Sequence, residues 1–261
     1  MPLSISIDEV LARLEAIIAD AQVHGKRTGF FAALYYKMTA GVKAGIAAGA
    51  FEDGPRMERL DVLFAGRYLD ALDAWENGRP TTESWRVAFE ASRRGGVLIL
   101  QHLLLGVNAH INLDLGIAAV EVMGGAAVDG IHKDFDAINS IIGALTNEVI
   151  REIDRMSPLL SLLGLQANNT DSFLVQFSVG NARDGAWCFA ERLGQLQGEA
   201  YDGAIKERDG DIAKLGSTLV HTSGMLRFLI WVIRLFEWKK AGRITQELRG
   251  REKRKFQAKD V

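Results

Sequence analysis

The sequence has little cysteine and little proline. Its 261 residues include one cysteine and 4 prolines. Since a single cysteine cannot form a disulfide within the chain, a disulfide framework is excluded, and the aromatic neighbours of Cys188 predict a small, buried hydrophobic residue. The formal net charge of −2 at pH 7 gives no overall signal for specific nucleic-acid binding. The start, MPLSISIDEVLARLEAI, lacks the basic segment and apolar run of a signal peptide, so we expect a cytoplasmic protein.

Strand patterns and familiar catalytic motifs are also missing. No stretch sustains the apolar and polar alternation of a half-buried strand. There is no P-loop, no Rossmann glycine fingerprint and no Gly-x-Ser-x-Gly motif. Apolar residues recur at helical spacing instead, and Ser6 with Glu9 matches a capping box before the first helix. The sequence therefore predicts an all-α, multi-helical single domain over residues 1–238, followed by a basic tail over residues 239–261.

Residues 97–120, VLILQHLLLGVNAHINLDLGIAAV, are the stretch around which the domain is predicted to form. The stretch is long enough to cross a bilayer, but its histidines, asparagines and aspartate argue against a lipid-facing span, so no transmembrane segment is expected. On a helix its polar residues form two groups: His102, His110 and Asp114 on one face, and Gln101, Asn108 and Asn112 on another. Polar groups on two sides predict a central helix that is packed all round.

The first of these faces suggests a metal site. His110 and Asp114 are four residues apart, so both side chains can reach one ion, and their chemistry suits zinc, iron or manganese. His102 lies about two turns away (~12 Å) and would bind a second ion or act in the outer shell. The candidates to complete the coordination from neighbouring helices are His221, Asp61, Asp134 and His132. The alternative is a polar core in which the histidines are hydrogen-bonded to asparagine and aspartate partners.

Three classes of function remain open. In a metal-dependent hydrolase, the ion would lower the pKa of a bound water and Asp134 would take its proton. The second class is a non-catalytic helical module that binds an apolar small molecule or a lipid. The third is a structural protein whose polar centre fixes the helix register. The sequence favours the hydrolase by a small margin and says nothing about oligomeric state.

The C-terminal region is apolar and then basic. Residues 225–238, MLRFLIWVIRLFEW, form a nearly continuous apolar surface interrupted by Arg227 and Arg234. A membrane-surface helix would use its tryptophans and the basic tail as anchors, but an all-α domain of this size needs closing helices, so we predict a core helix. Residues 239–261 hold nine Lys or Arg against three acidic residues. They are predicted to be a solvated helix end, with binding to anionic lipid or nucleic acid as the alternative.

One run of residues resembles a known family. HLLLGVNAHINLDL, residues 102–115, resembles the signature of a bacterial family designated domain of unknown function 5995. The segments FAGRYLDALDAW, SWRVAF and HKDFDAINSII are similar to the flanking blocks of that family. Together they cover roughly residues 30–142. The resemblance supports the importance of these residues and implies no particular activity.

Overall fold

The computed structural model describes residues 6–163 and 179–250. Within these ranges the chain is helical and has no strands, which confirms the predicted all-α class. The α-helices are α1 (Ile7–His24), α2 (Gly29–Ala47), α3 (Gly54–Glu76), α4 (Glu83–Ser92), α5 (Ile99–Ala109), α6 (Gly116–Met123), α7 (His132–Met156), α8 (Val179–Leu193), α9 (Gly198–Val220), α10 (Gly224–Phe236) and α11 (Ala241–Arg249). A π-helical segment, His110–Leu115, joins α5 to α6 without a break, and 3₁₀ turns form at Val128–Ile131 and Leu160–Leu163.

Local signals explain where α1 begins and ends. The Ser6 hydroxyl accepts a hydrogen bond from the Glu9 backbone N–H at 3.3 Å, and the Glu9 carboxylate accepts one from the Ser6 N–H at 2.7 Å. This reciprocal pair is the predicted capping box. At the other end Gly25 adopts a left-handed conformation (φ 67°), which a residue without Cβ reaches at low cost.

The central helix is confirmed and continuous. It runs through α5, the π segment and α6 from Ile99 to Met123. Among the described residues it is long and apolar enough to cross a membrane, as α9 and α10 together would be if they formed one bent span. However, 83% of its apolar stretch is buried inside the protein, as in the core helix of a folded domain. The sequence did not predict the π segment, which widens the helix at His110–Leu115.

Helices surround this central element. α2, α4 and α9 pack against α5, whereas α3 and α8 pack against the π segment and α6. The contact with α2 depends on Gly106, because a Cβ at this position would overlap the Phe31 ring. Burial on all sides explains why the polar residues of the central helix must find partners among their neighbours.

Three sequence predictions need correction or adjustment near the C-terminal end and in α8. α11 packs against α1 and α2 and buries Ile244 and Leu248, so the predicted boundary at residue 238 does not coincide with a break in packing. Residues 251–261 of the predicted tail lie outside the described residues.

α10 buries Ile230 and Ile233 on one face only, because no described neighbour covers its other side. The burial predicted for Cys188 is wrong: this residue is exposed.

Candidate functional site

An apolar cavity of about 130 Å³ lies between α2, α3, α7 and the π segment. Its wall is formed by aliphatic, methionine and aromatic side chains, except for four polar groups: Tyr35, Asp61, His110 and Arg183. A cavity of roughly 150 Å³ is large enough to bind benzene in an engineered protein. Its size and lining therefore suit one ring or a short alkyl group next to a polar substituent.

His110 lies in the wall of this cavity and is paired with Asp114 behind it. Both side chains are only 2% exposed, and His110 Nδ1 lies 3.1 Å from Asp114 Oδ2. Asp114 also accepts hydrogen bonds from the Trp85 indole N–H at 2.8 Å and from Arg67 Nε at 3.1 Å. Three donors therefore fix the carboxylate, and the carboxylate in turn fixes the imidazole ring.

The hydrogen bond to Asp114 determines which nitrogen of His110 carries the proton. A carboxylate accepts, so Nδ1 donates and Nε2 of the neutral ring is a hydrogen-bond acceptor. Burial lowers the pKa of His110, and the hydrogen bond to Asp114 only partly opposes this effect. No group among the described residues lies within hydrogen-bonding distance of Nε2. His110, a residue of the cavity wall, therefore has a neutral, buried Nε2 acceptor without a partner among the described residues.

Aromatic rings hold His110 in place. The Phe64 ring is stacked on the imidazole with centroids 3.5 Å apart, and the Tyr35 ring meets its edge at 4.5 Å. Phe31, Tyr68 and Trp85 lie within 5.6 to 6.3 Å of the imidazole centroid. The packing leaves the imidazole little freedom to rotate, so Nε2 has a defined direction.

The sequence analysis missed these neighbours, although a signal for them was present. Phe64, Arg67 and Tyr68 belong to the FAGRYLDALDAW segment, and Trp85 belongs to SWRVAF. Both segments were singled out only because they resemble blocks of a family. The structure gives the physical reason, since these two segments supply partners of Asp114 and rings around His110.

Asp61 is the second acidic group at the cavity. It is 6% exposed, and its Oδ2 has no hydrogen-bond partner among the described residues. Burial raises the pKa of Asp61 to about 7, with a smaller contribution from the negative charge of Glu58. Near neutral pH the carboxyl group is therefore present in both protonation states, as a hydrogen-bond donor or as an acceptor.

Two further polar groups complete the wall. Burial raises the pKa of Tyr35 well above its usual value, so its phenol stays protonated. Burial also lowers the pKa of Arg183 to about 10, which leaves its guanidinium charged near neutral pH. This guanidinium lies over the Phe135 ring at 4.2 Å and donates to the Phe135 carbonyl. The site thus contains one fixed cation besides its acid and its imidazole.

Asp134 has a different setting from the one predicted. Its carboxylate accepts hydrogen bonds from the backbone N–H groups of Glu52 (2.6 Å) and Asp53 (3.3 Å) and pairs with Arg56 at 2.6 Å. These contacts hold the turn before α3 to the start of α7. The predicted proton acceptor is thus occupied with structural partners and does not line the cavity.

The other predicted ligands do not gather around the pair either. His102 packs edge-on against Phe30 and lines a separate small cavity of about 20 Å³. Burial lowers the pKa of His102 to about 3. His221 is exposed at the end of α9, where it contacts Arg94, and His132 is exposed beside Asp136.

These positions bear on the predicted metal centre. Within residues 6–163 and 179–250, no three His, Cys, Asp or Glu side chains lie close enough together to hold an ion. His110 and Asp114 are brought together, as their spacing predicted, but they are directed at each other. The structure therefore describes a hydrogen-bonded pair at these two residues.

The opposite face of the central helix is closed. Gln101 donates to the Leu219 carbonyl at 2.6 Å, and Asn108 donates to the Ile212 carbonyl at 2.9 Å. Asn112 donates to Asn108 Oδ1 at 3.1 Å. The amide side chains thus bind the backbone of α9 or each other, as expected of a polar core that fixes helix positions.

Comparisons with known proteins identify a family for this chain. A family model described as "Family of unknown function (DUF5995)" matches residues 7–222, which include the cavity and both polar faces. No curated protein and no solved structure matches the chain. The match covers most of the chain and extends well beyond the segments that first suggested it. The protein therefore belongs to the DUF5995 family.

Proposed function

We propose that the protein binds a small apolar molecule that carries one hydrogen-bond donor, and that His110 Nε2 accepts this hydrogen bond. The observation that carries the proposal is a buried acceptor that has no partner among the described residues and belongs to a side chain in the wall of a largely apolar cavity. A few convergent polar groups within an apolar lining are typical of small-molecule sites. This function is the apolar-ligand alternative of the sequence analysis.

The energetics support a ligand more than a purely structural histidine. A buried acceptor that stays unsatisfied costs about 1–3 kcal/mol. A hydroxyl, amine or protonated acid in the cavity removes that cost and leaves its apolar part in contact with residues such as Leu34 and Leu60. Selectivity follows, because an isosteric ligand without the donor leaves the imidazole unsatisfied.

A second candidate function is proton transfer from the bound molecule. Asp114 accepts from Nδ1 and would stabilise the imidazolium that forms when Nε2 takes a proton. Arg67 and Trp85 keep the carboxylate in position for this role. In this reading His110 is a general base.

The metal-dependent hydrolase stays a prediction. It requires that a divalent ion, zinc, iron or manganese, displaces the hydrogen bond between His110 and Asp114 and recruits a third ligand. Asp61 is the predicted candidate that also lines the cavity. Elemental analysis of the purified protein tests this reading, and a stoichiometric metal that His110→Phe removes would favour it over the proposal above.

Phenol and toluene provide the test of the proposal, because they have similar rings and differ in one hydroxyl. We expect calorimetry to show that the protein binds phenol about fivefold more tightly than toluene, as one net hydrogen bond of about 1 kcal/mol implies. His110→Phe should remove this preference while toluene still binds. His102→Phe is the matched control, since His102 is also buried but lies outside this cavity, and it should keep the preference. Equal affinities in the unaltered protein, or a preference that survives His110→Phe, would refute the proposal.

A further inference from the structure

α10 is apolar on both sides, and the described residues cover only one of them. Ile230 and Ile233 are buried on its inner face. The outer face of α10 consists of Met225, Phe228, Trp231 and Leu235, which are exposed by 72%, 57%, 58% and 55%. At about 100° per residue these four side chains lie within about 120° of one another. They form one continuous stripe along the helix.

Such a stripe differs from the ordinary exposed apolar residues of a protein. Val23, at 79% exposure on α1, stands alone and needs no explanation. Four large side chains in one row, two of them aromatic, mark a surface that contacts a partner. From Met225 to Leu235, at a rise of about 1.5 Å per residue, the stripe extends over about 15 Å.

Exposed cations lie on α10 and directly after it in the chain. Arg227, Lys239, Lys240 and Arg243 are all exposed. Residues 224–243 contain five basic residues and one acidic residue, although the whole chain carries a formal charge of −2. The acidic residue, Glu237, is buried and faces inward, since its carboxylate accepts from the Ile99 N–H at 3.1 Å.

We propose that the outer face of α10 docks on an anionic lipid surface. The helix would lie parallel to the membrane, with Phe228 and Trp231 at the boundary between headgroups and acyl chains and with the cations against lipid phosphates. A second copy of the chain is the less suitable occupant, because a symmetric contact through this face brings two identical sets of cations together. The docking is independent of any ligand in the cavity.

The test uses the full chain and two kinds of vesicle, phosphatidylcholine alone and phosphatidylcholine mixed with phosphatidylserine. In co-sedimentation, binding to the mixed vesicles should be about tenfold or more tighter than to phosphatidylcholine alone. Replacing Phe228 and Trp231 together by Glu should weaken binding to the mixed vesicles by about tenfold or more. Ile150→Glu with Leu215→Glu is the matched control, because it adds the same two negative charges at exposed apolar side chains outside α10, and it should bind unchanged.

A second variant keeps the test decisive if the double variant fails to fold. Lys239→Glu with Lys240→Glu alters exposed side chains only, and it should also weaken binding to the mixed vesicles about tenfold. No binding of the unaltered protein to mixed vesicles would overturn the proposal. Full binding by both variants would overturn it too. So would a dimer in gel filtration that the Phe228 and Trp231 double variant converts to a monomer, because a second copy would then cover this face.

Discussion

The two polar faces of the central helix are equally buried but differ in how their hydrogen bonds are completed. On the face toward α9, Asn112 donates to the Asn108 side chain, and Asn108 donates to the Ile212 carbonyl. On the face toward α2 and α3, the Asp114 carboxylate accepts three hydrogen bonds, while His110 Nε2 has no partner among the described residues. The amide groups of the first face are bound within the protein, whereas on the second face Nε2 of His110, like Nε2 of His102 further along the helix, has no partner among the described residues.

This difference separates a structural role from a binding role better than residue type does. Amide side chains and imidazole side chains are both costly to bury, and both occur on the same helix. What distinguishes them is whether the last hydrogen bond comes from the protein itself. The π segment, His110–Leu115, begins at the residue with the free acceptor, and π-helical turns are frequent at functional sites.

The face of the central helix toward α2 and α3 is called the open face below. The largest effect is expected from Asp114→Ala, which removes the carboxylate that holds His110 in position on this face. It removes the acceptor of His110 Nδ1, Trp85 Nε1 and Arg67 Nε together. We expect the free energy of unfolding in urea to fall by about 2–6 kcal/mol, because the His110 and Trp85 N–H groups are left buried without an acceptor at about 1–3 kcal/mol each. Asp73→Ala is the control, because its pair with Arg79 is exposed and should contribute less than about 1 kcal/mol. Equal losses in the two variants would contradict the account.

The next effect concerns the closed face. Asn108→Ala leaves Asn112 without its acceptor and removes the hydrogen bond to the Ile212 carbonyl. We expect a loss of about 2–3 kcal/mol in the free energy of unfolding, with phenol affinity unchanged at temperatures where the variant is folded. A variant that is as stable as the original, or one that loses phenol binding while folded, would show that the two faces are not distinct.

A pair of glycine substitutions tests the packing behind the open face. Gly106→Ala forces a methyl group into the Phe31 ring, which itself packs on His110, so we expect a loss of about 1–3 kcal/mol and weaker phenol binding. Gly66→Ala is the matched control in α3, where an added Cβ meets open space. It should stabilise the protein by up to about 1 kcal/mol, since alanine is the better helix former. Thermal or urea unfolding of both variants measures the contrast, and stabilisation by Gly106→Ala would contradict it.

The smallest effect is a pH dependence at Asp61. Burial raises the pKa of this carboxyl group from 3.8 to about 7, so between these values the folded protein keeps a proton that the unfolded chain releases. Its contribution to stability is therefore present at low pH and is lost as pH rises toward 7. In the unaltered protein we expect this group to lower the free energy of unfolding by about 1 kcal/mol between about pH 6 and about pH 8. Asp61→Asn should abolish this decrease.

The control for this pH dependence is Asp73→Asn, at an exposed carboxylate on the same helix. It should leave the pH profile as it is in the unaltered protein. If Asp61→Asn and the unaltered protein show the same slope between about pH 6 and about pH 8, Asp61 does not titrate in this range.

Local features were accessible from the sequence. The capping box at Ser6 and the central helix follow from patterns a few residues long. The pairing of His110 with Asp114 follows from a spacing of four on one helix.

Features that depend on distant segments were not accessible. The partners of Asp114 come from α3 and α4, and no periodicity indicates that the Arg67 and Trp85 side chains meet it. The spacing of His102, His110 and Asp114 suggested ligands, but only the packing shows that His102 lines a different cavity. Likewise the sequence of α10 shows apolar residues on every side, and only the neighbouring helices decide which side is covered.

The ring nitrogens of His110 offer the most direct test of the open face. Long-range ¹H–¹⁵N NMR distinguishes a protonated from an unprotonated imidazole nitrogen, and His110→Phe assigns the signals. Near neutral pH we expect His110 to carry its proton on Nδ1, to have an unprotonated Nε2, and to show a saturable change in the Nε2 shift when phenol is added, while the His102 signals stay unchanged. A proton on Nε2, or an Nε2 signal that phenol does not affect, would contradict the account.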